Sequence, residues 1–147
     1  MKRLEFIKVY DGVLSPEMCE ILINLFNTNK RHHVRVNNDY KPHFTEFNLS
    51  EHYGEYHNIM TRYVLDVVER YSNDCVPYSQ FWPNQPTILE GMRIKRYNED
   101  TGERFDRHVD VANSTSAMRY LSLLFYLNDG FEGGGTHFLP DYNITPS

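Results

Sequence analysis

The sequence predicts an α+β domain in which helices come first and strands follow. Two observations carry this prediction: apolar residues recur at helical spacing in the first half, and they alternate with polar residues after residue 88. With 147 residues, 40% of them hydrophobic, the chain can build one real core. We therefore expect a single domain over residues 1–147, with a helical support region at 1–87 and a β region at 88–147.

Charge and composition exclude several classes of partner. The formal net charge is −5, and acidic and basic residues are interspersed, whereas nucleic-acid-binding surfaces usually carry a basic stripe. No apolar run is long enough for a signal peptide or a membrane-spanning helix. We expect no nucleic-acid partner, no membrane partner and a cytoplasmic protein with two reduced cysteines, whereas the oligomeric state stays open.

The N-terminal region alternates loosely over residues 3–10, which suggests a strand, and a helix then follows. Ser15 and Pro16 form a helix start, because serine caps well and proline suits the first helical position. The helix is predicted to run to about Phe26 and residues 29–43 to form a polar, turn-rich segment. The apolar positions that predict the helix are Met18, Ile21, Leu22 and Leu25.

A second, longer helix is the clearest periodic feature of the sequence. Apolar and aromatic residues keep helical spacing for five turns, so a helix capped by Ser50 is predicted over residues 51–71. Residues 72–87 contain three prolines and are predicted to form a loop.

The second half predicts strands. Alternation marks strands at residues 88–97, 104–111 and 120–127, and a Gly-rich segment leads into a short strand at 136–139. Together with residues 3–10 this makes about five strands, whereas an eight-stranded jelly roll would need about three more.

The most informative motif is a His-x-Asp pair. On a strand, His108 and Asp110 point to the same side because side chains alternate between faces. One imidazole and one carboxylate are two of the three ligands of a 2-His-1-carboxylate iron site, and zinc accepts the same groups. The ordinary alternative is a surface strand with a solvated aspartate and a hydrogen-bonded histidine.

The residues around this pair resemble the catalytic core of the 2-oxoglutarate- and Fe(II)-dependent dioxygenases, in particular the prolyl 4-hydroxylase-like branch. The matching blocks occur in the family's order: residues 14–19, 90–97, 102–110, Arg119 followed by 126–129, and 133–138. The resemblance implies a double-stranded β-helix, which is a jelly roll, behind the N-terminal support helices. It also implies that 2-oxoglutarate is decarboxylated to succinate and CO₂ while a C–H bond of the substrate is hydroxylated.

The same resemblance implies roles for individual residues. His108 and Asp110 would bind Fe(II), and ascorbate would keep the iron reduced. Tyr97 and Thr136 would hold 2-oxoglutarate, although each could be an ordinary strand residue.

Glu90 and Arg119 match family positions that face the substrate, although they could equally form a solvated pair on a strand face. The substrate would be a peptidyl proline, a free amino acid or another small metabolite. The alternatives are a non-catalytic β-helix binding module and a zinc-binding cupin-like enzyme.

Some positions depart from the family pattern. The turn after Tyr97 is longer than usual, Phe105 stands where prolyl hydroxylases often have tyrosine, and Gly135 replaces a glutamate. The family's second histidine and its cationic anchor for 2-oxoglutarate lie further downstream, and His137 occupies a variable position. We therefore expect the third ligand beyond Ser147, in a chain that is C-terminally incomplete; the alternative is a natural short form that has lost catalysis.

Overall fold

The computed structural model describes residues 6–38, 42–83, 88–138 and 142–146. It divides into two compact units that interleave along the sequence. The first takes its described residues from the ranges 1–18 and 48–93, and the second takes them from 19–47 and 94–147.

Helix α1 (Pro16–Thr28) begins where the sequence predicts. The Ser15 hydroxyl accepts a hydrogen bond from the Met18 amide at 3.2 Å, so it satisfies one of the amides that the first turn leaves unpaired. The helix ends two residues beyond the predicted end, and it buries Leu22 and Phe26. The predicted strand at 3–10 is not formed over its described part, residues 6–10.

The first unit contains the predicted long helix, but as two pieces: α2 (Leu49–His52) and α3 (Gly54–Asp74). The Asn48 side chain, rather than Ser50, caps α2 by accepting the Glu51 amide at 3.2 Å. The extended backbone of Tyr53 separates the two helices. A buried stripe anchors α3 through Met60, Val64 and Val68, which are four residues apart and therefore share one face.

Two tyrosines hold the N-terminal segment of the first unit against α3. The Tyr71 hydroxyl donates to the Phe6 carbonyl at 2.7 Å, and the Tyr10 hydroxyl donates to the Asp74 carboxylate at 2.6 Å. After α3 the chain forms a 3₁₀ turn at Tyr78–Phe81 within the predicted loop, of which residues 84–87 lie outside the described residues.

The three strands β1 (Val34–Asn37), β2 (His43–Asn48) and β3 (Arg93–Arg96) form an antiparallel β1–β2 pair with β3 as the next neighbour. Val34 lies opposite Glu46, and Asn37 lies opposite His43. The sequence analysis placed β1 and the start of β2 in a turn-rich loop, and that prediction is wrong. The described strand β3 is also shorter than the predicted 88–97.

The core of the second unit lies between α1 and β2. Phe44 and Phe47 on β2 are buried, as are Leu22 and Phe26 on α1. His33 connects the two elements, because its ring lies 4.1 Å from the ring of Phe26 and 6.4 Å from that of Phe47. Its Nε2 also lies 2.7 Å from the Phe26 carbonyl oxygen.

A second, separate sheet pairs β4 (Thr136–Phe138) with β5 (Tyr142–Ile144) in antiparallel register. The predicted strand at 136–139 is therefore present, except that Leu139 lies outside the described residues, and β5 was not predicted.

The α+β class is confirmed, whereas the jelly roll is not: within the described ranges there are two small antiparallel sheets and no closed barrel. The predicted strands at 104–111 and 120–127 are irregular. A strand needs a continuous ladder of backbone hydrogen bonds to a neighbouring strand. In the segment 104–111 the Arg104 carbonyl accepts a bond from the His43 amide at 2.8 Å, but no ladder follows it among the described residues. None of the described helices is long and apolar enough to cross a membrane.

A buried carboxylate fixes the turn that leads from β3 towards His108. The side chain of Glu103 is only 4% exposed, and it accepts bonds from the Asn98 amide at 2.9 Å, the Asn98 side chain at 3.0 Å and the Arg35 guanidinium. Two residues of this turn, Asp100 and Gly102, have left-handed backbones.

We predict that Glu103→Gln destabilises the protein by about 0.5–1.5 kcal/mol at neutral pH, because the solvent-exposed donors of Asn98 and Arg35 lose a charged acceptor. Burial alone would raise the pKa of Glu103, but the bonds from Asn98 and Arg35 hold it below its ordinary value. A depressed pKa stabilises the fold above the unfolded-state value of about 4.3, and this gain disappears as the pH falls through the folded pKa. Urea unfolding should therefore separate wild type from variant at pH 7 and much less below about pH 4. The exposed Glu99→Gln in the same turn is the control, and an equal loss from both variants would contradict the prediction.

Candidate metal centre

The His108 imidazole is held in one orientation by its own segment. Its Nδ1 lies 2.8 Å from the Asp106 carbonyl oxygen, and its ring stacks on Phe105 with centroids 3.8 Å apart. A carbonyl only accepts hydrogen bonds, so Nδ1 carries the proton. In the neutral form of the ring the lone pair is then on Nε2, which is the atom that would bind a metal ion.

Asp110 faces this nitrogen. Its Oδ1 lies 3.3 Å from His108 Nε2, and its Oδ2 accepts a hydrogen bond from the Ser122 hydroxyl. Arg119 donates to the Asp110 backbone carbonyl at 2.8 Å. Ser122 therefore holds one carboxylate oxygen and Arg119 holds the backbone of the same residue, while the other carboxylate oxygen is directed at the imidazole.

The separation of these two atoms suits a shared cation. Two ligands that bind one metal ion at about 2.1 Å and adjacent positions lie about 3 Å apart. The donor set, a neutral imidazole and a carboxylate, suits Fe(II) and Zn²⁺ equally.

A third protein ligand is not found within the part of the chain that the structure describes. No group of three or more His, Cys, Asp or Glu side chains is close enough there to share a metal ion. His137 lies on β4 opposite Asn143, and alternation along the strand turns it away from the face of Thr136. The expected ligand beyond Ser147 stays a prediction.

Two other hydroxyl-bearing residues, Thr136 and Tyr97, interact with Tyr126. Its phenol oxygen lies 2.6 Å from Thr136 Oγ1. Burial, together with the charges of Glu46 and Tyr126, raises the pKa of Tyr97 to about 12. Like any tyrosine, Tyr97 is protonated at neutral pH and can donate to an anionic oxygen. The two residues assigned to 2-oxoglutarate, Tyr97 and Thr136, are thus both associated with Tyr126.

Aromatic contacts connect Tyr97, one of these hydroxyl-bearing residues, to the His108–Asp110 pair. The ring of Phe44 lies 5.4 Å from Tyr97 and 5.8 Å from Phe105, which in turn stacks on His108. Lys95 Nζ lies 4.6 Å from the Phe44 ring centroid and 5.2 Å from that of Phe105. The second unit therefore contains one continuous row of contacting rings: Tyr97, Phe44, Phe105 and His108.

The two residues assigned to the substrate lie in different environments. Glu90 is an exposed residue of the first unit, and Arg119 belongs to the second, where it supports Asp110 as described above.

Sequence reasoning missed two residues that shape this site, Ser122 and Tyr126. Both lie on the polar face of the alternating segment 120–127, four residues apart, whereas the prediction used only the apolar face. Their positions on one face were a usable signal, but their partners, Asp110 and Thr136, are 12 and 10 residues away and were not predictable.

We predict that Ser122→Ala weakens the affinity for Mn²⁺, a stable substitute for Fe(II), by about tenfold. The hydroxyl orients a ligating carboxylate, and the loss of such a partner typically costs about 10- to 100-fold in metal affinity. Isothermal titration calorimetry measures the change, with Ser114→Ala in the neighbouring turn as the control. Equal affinities in the two variants would show that the Ser122 bond does not position the ligand.

No protein-family model, curated protein or solved structure matches the chain. What this site binds is therefore inferred from its own side chains and from the sequence resemblance.

Proposed function

We propose that the chain carries the metal- and cosubstrate-binding part of a 2-oxoglutarate- and Fe(II)-dependent dioxygenase similar to prolyl 4-hydroxylases. The observation that carries the proposal is the 3.3 Å approach of His108 Nε2 to Asp110 Oδ1. It occurs within the segment whose sequence resembles the family's metal-binding motif.

His108 and Asp110 would hold the ion, and the third ligand would come from a residue beyond Ser147. When bound, Fe(II) supplies the oxygen activation that the hydroxylation of a C–H bond requires. The protein's contribution is to orient both ligands: the Asp106 carbonyl selects the imidazole tautomer, and Ser122 holds the carboxylate.

Tyr97, Tyr126 and Thr136 would bind 2-oxoglutarate. Three hydroxyls, all protonated at neutral pH, offer donors to carboxylate oxygens. The apolar rings of Phe44 and Phe105 would exclude water from the carbon chain of the cosubstrate.

Glu90 and Arg119 are assigned to the substrate by sequence resemblance alone. Peptidyl proline is the substrate class to test first, followed by free amino acids. Ascorbate would act as the reductant that restores Fe(II).

The experiment is a measurement of succinate released from 2-oxoglutarate in the presence of Fe(II), O₂ and ascorbate. We expect release from a version extended past Ser147 to include a further histidine, and none from the 147-residue chain unless imidazole is added as a substitute ligand. Equal release from both without imidazole would show that the third ligand has been misplaced. No consumption of 2-oxoglutarate by any version would overturn the proposal.

A further inference from the structure

The His108–Asp110 pair lies at the surface of the second unit. The two side chains are 42% and 47% exposed, so an ion bound there keeps a large open side. Zinc prefers four ligands in a tetrahedral arrangement. Two of them are available here, and the described residues place no third ligating side chain beside them.

Exposed apolar residues, here called the rim, lie within two positions along the chain of residues that form or hold this pair. Val109 lies between the two ligands in sequence and is 73% exposed, and Leu124 is 69% exposed. Leu124 is two positions from Ser122, which bonds to Asp110. Val111 adjoins Asp110, and Met118 adjoins Arg119; both are exposed. Exposed apolar residues beside a polar centre are typical of a surface that contacts another protein.

We propose that this surface binds Zn²⁺ between two copies of the chain, with His108 and Asp110 of each copy as the four ligands. A two-fold axis through the ion makes the two contributions equivalent, as an isologous interface requires. The rim residues of the two copies then cover each other. The proposal uses the same ligand pair as the proposed function but requires neither 2-oxoglutarate nor oxygen.

Charge makes the association depend on the metal. Each chain carries a formal charge of −5, and the two Asp110 carboxylates would face each other across the axis. A divalent cation neutralises both carboxylates, whereas without it the copies repel. Because all four zinc positions are then occupied by protein, the dimer has no open position for a small ligand.

The test is multi-angle light scattering after size-exclusion chromatography of the 147-residue chain, first with EDTA and then with stoichiometric Zn²⁺. We expect a monomer with EDTA, a dimer with zinc, and one zinc ion for every two chains in the dimer fraction. His108→Ala and Asp110→Asn should both remain monomeric with zinc. The exposed His137→Ala is the matched control and should dimerise like the wild type.

A second variant separates the rim from the ligands. Leu124→Asp places a charge on the rim but keeps both ligands, so it should bind zinc and remain monomeric. A wild-type chain that binds zinc as a monomer, a dimer that survives EDTA, or a His108→Ala variant that dimerises would each overturn the proposal. A failure of succinate release would not affect these results, because the experiment contains no 2-oxoglutarate.

Discussion

Replacing His108 with alanine is expected to lower the affinity for Mn²⁺ by about 100-fold or more and to abolish metal-dependent turnover of 2-oxoglutarate. The imidazole is one of the two proposed ligands that lie within the described residues, so its loss leaves there a single carboxylate, Asp110, to bind the ion. The effect should exceed that of Ser122→Ala, because a ligand is removed rather than the group that orients it.

Metal binding is measured by isothermal titration calorimetry with Mn²⁺. Turnover is measured by the succinate assay with imidazole added as a substitute ligand. Asp110→Asn provides a second test, since an amide oxygen keeps the shape of the side chain but is a weaker ligand than a carboxylate. His137→Ala, another exposed histidine of the second unit, should bind and turn over normally. Unchanged Mn²⁺ affinity in His108→Ala would mean that the metal binds elsewhere.

The approach of His108 to Asp110 was predictable from the sequence. In the structure, however, it has a different cause from the strand alternation on which the prediction rested. Strand alternation predicted that the two side chains share a face, yet residues 104–111 form no strand. The convergence instead comes from local contacts: Nδ1 of the imidazole bonds back to Asp106, and Ser122 turns the carboxylate. A spacing of two residues kept the groups close in either conformation.

Helices were predicted better than strands because their signal is local. The stripe of Met60, Val64 and Val68 repeats within one segment, so periodicity alone identifies α3. The interruption at Tyr53 escaped prediction, because the Asn48 cap and the start at Gly54 leave the apolar spacing unchanged.

Sheet pairing depends on distant residues, and there the sequence was less informative. Strand β1 alternates apolar Val34 and Val36 with polar Arg35 and Asn37, but it is only four residues long and mostly exposed, so the alternation is too short to identify a strand. In contrast, residues 120–127 alternate well but have no ladder partner among the described residues, and Leu124 stays exposed. Alternation predicts a strand only where another strand is available to pair with it.

The second large effect is expected in the core of the second unit, where Phe47→Ala should destabilise the protein by about 3–5 kcal/mol. The side chain is fully buried, at 0% exposure, between β2 and α1, where the ring of His33 packs against it at 6.4 Å. Truncation removes a large apolar group and leaves a cavity that its neighbours cannot close without moving β2. For a domain stabilised by about 5–15 kcal/mol, this is a substantial part of the total.

Urea unfolding followed by far-ultraviolet circular dichroism measures this loss. The fluorescence of Trp82 is less suitable, because the only tryptophan belongs to the other compact unit. Phe81→Ala makes the same chemical change at a side chain that is 81% exposed, and it should cost less than about 1 kcal/mol. Similar losses from the two variants would contradict the burial of Phe47. A large loss from Phe47→Ala alone would confirm that Phe47 belongs to the core of the second unit.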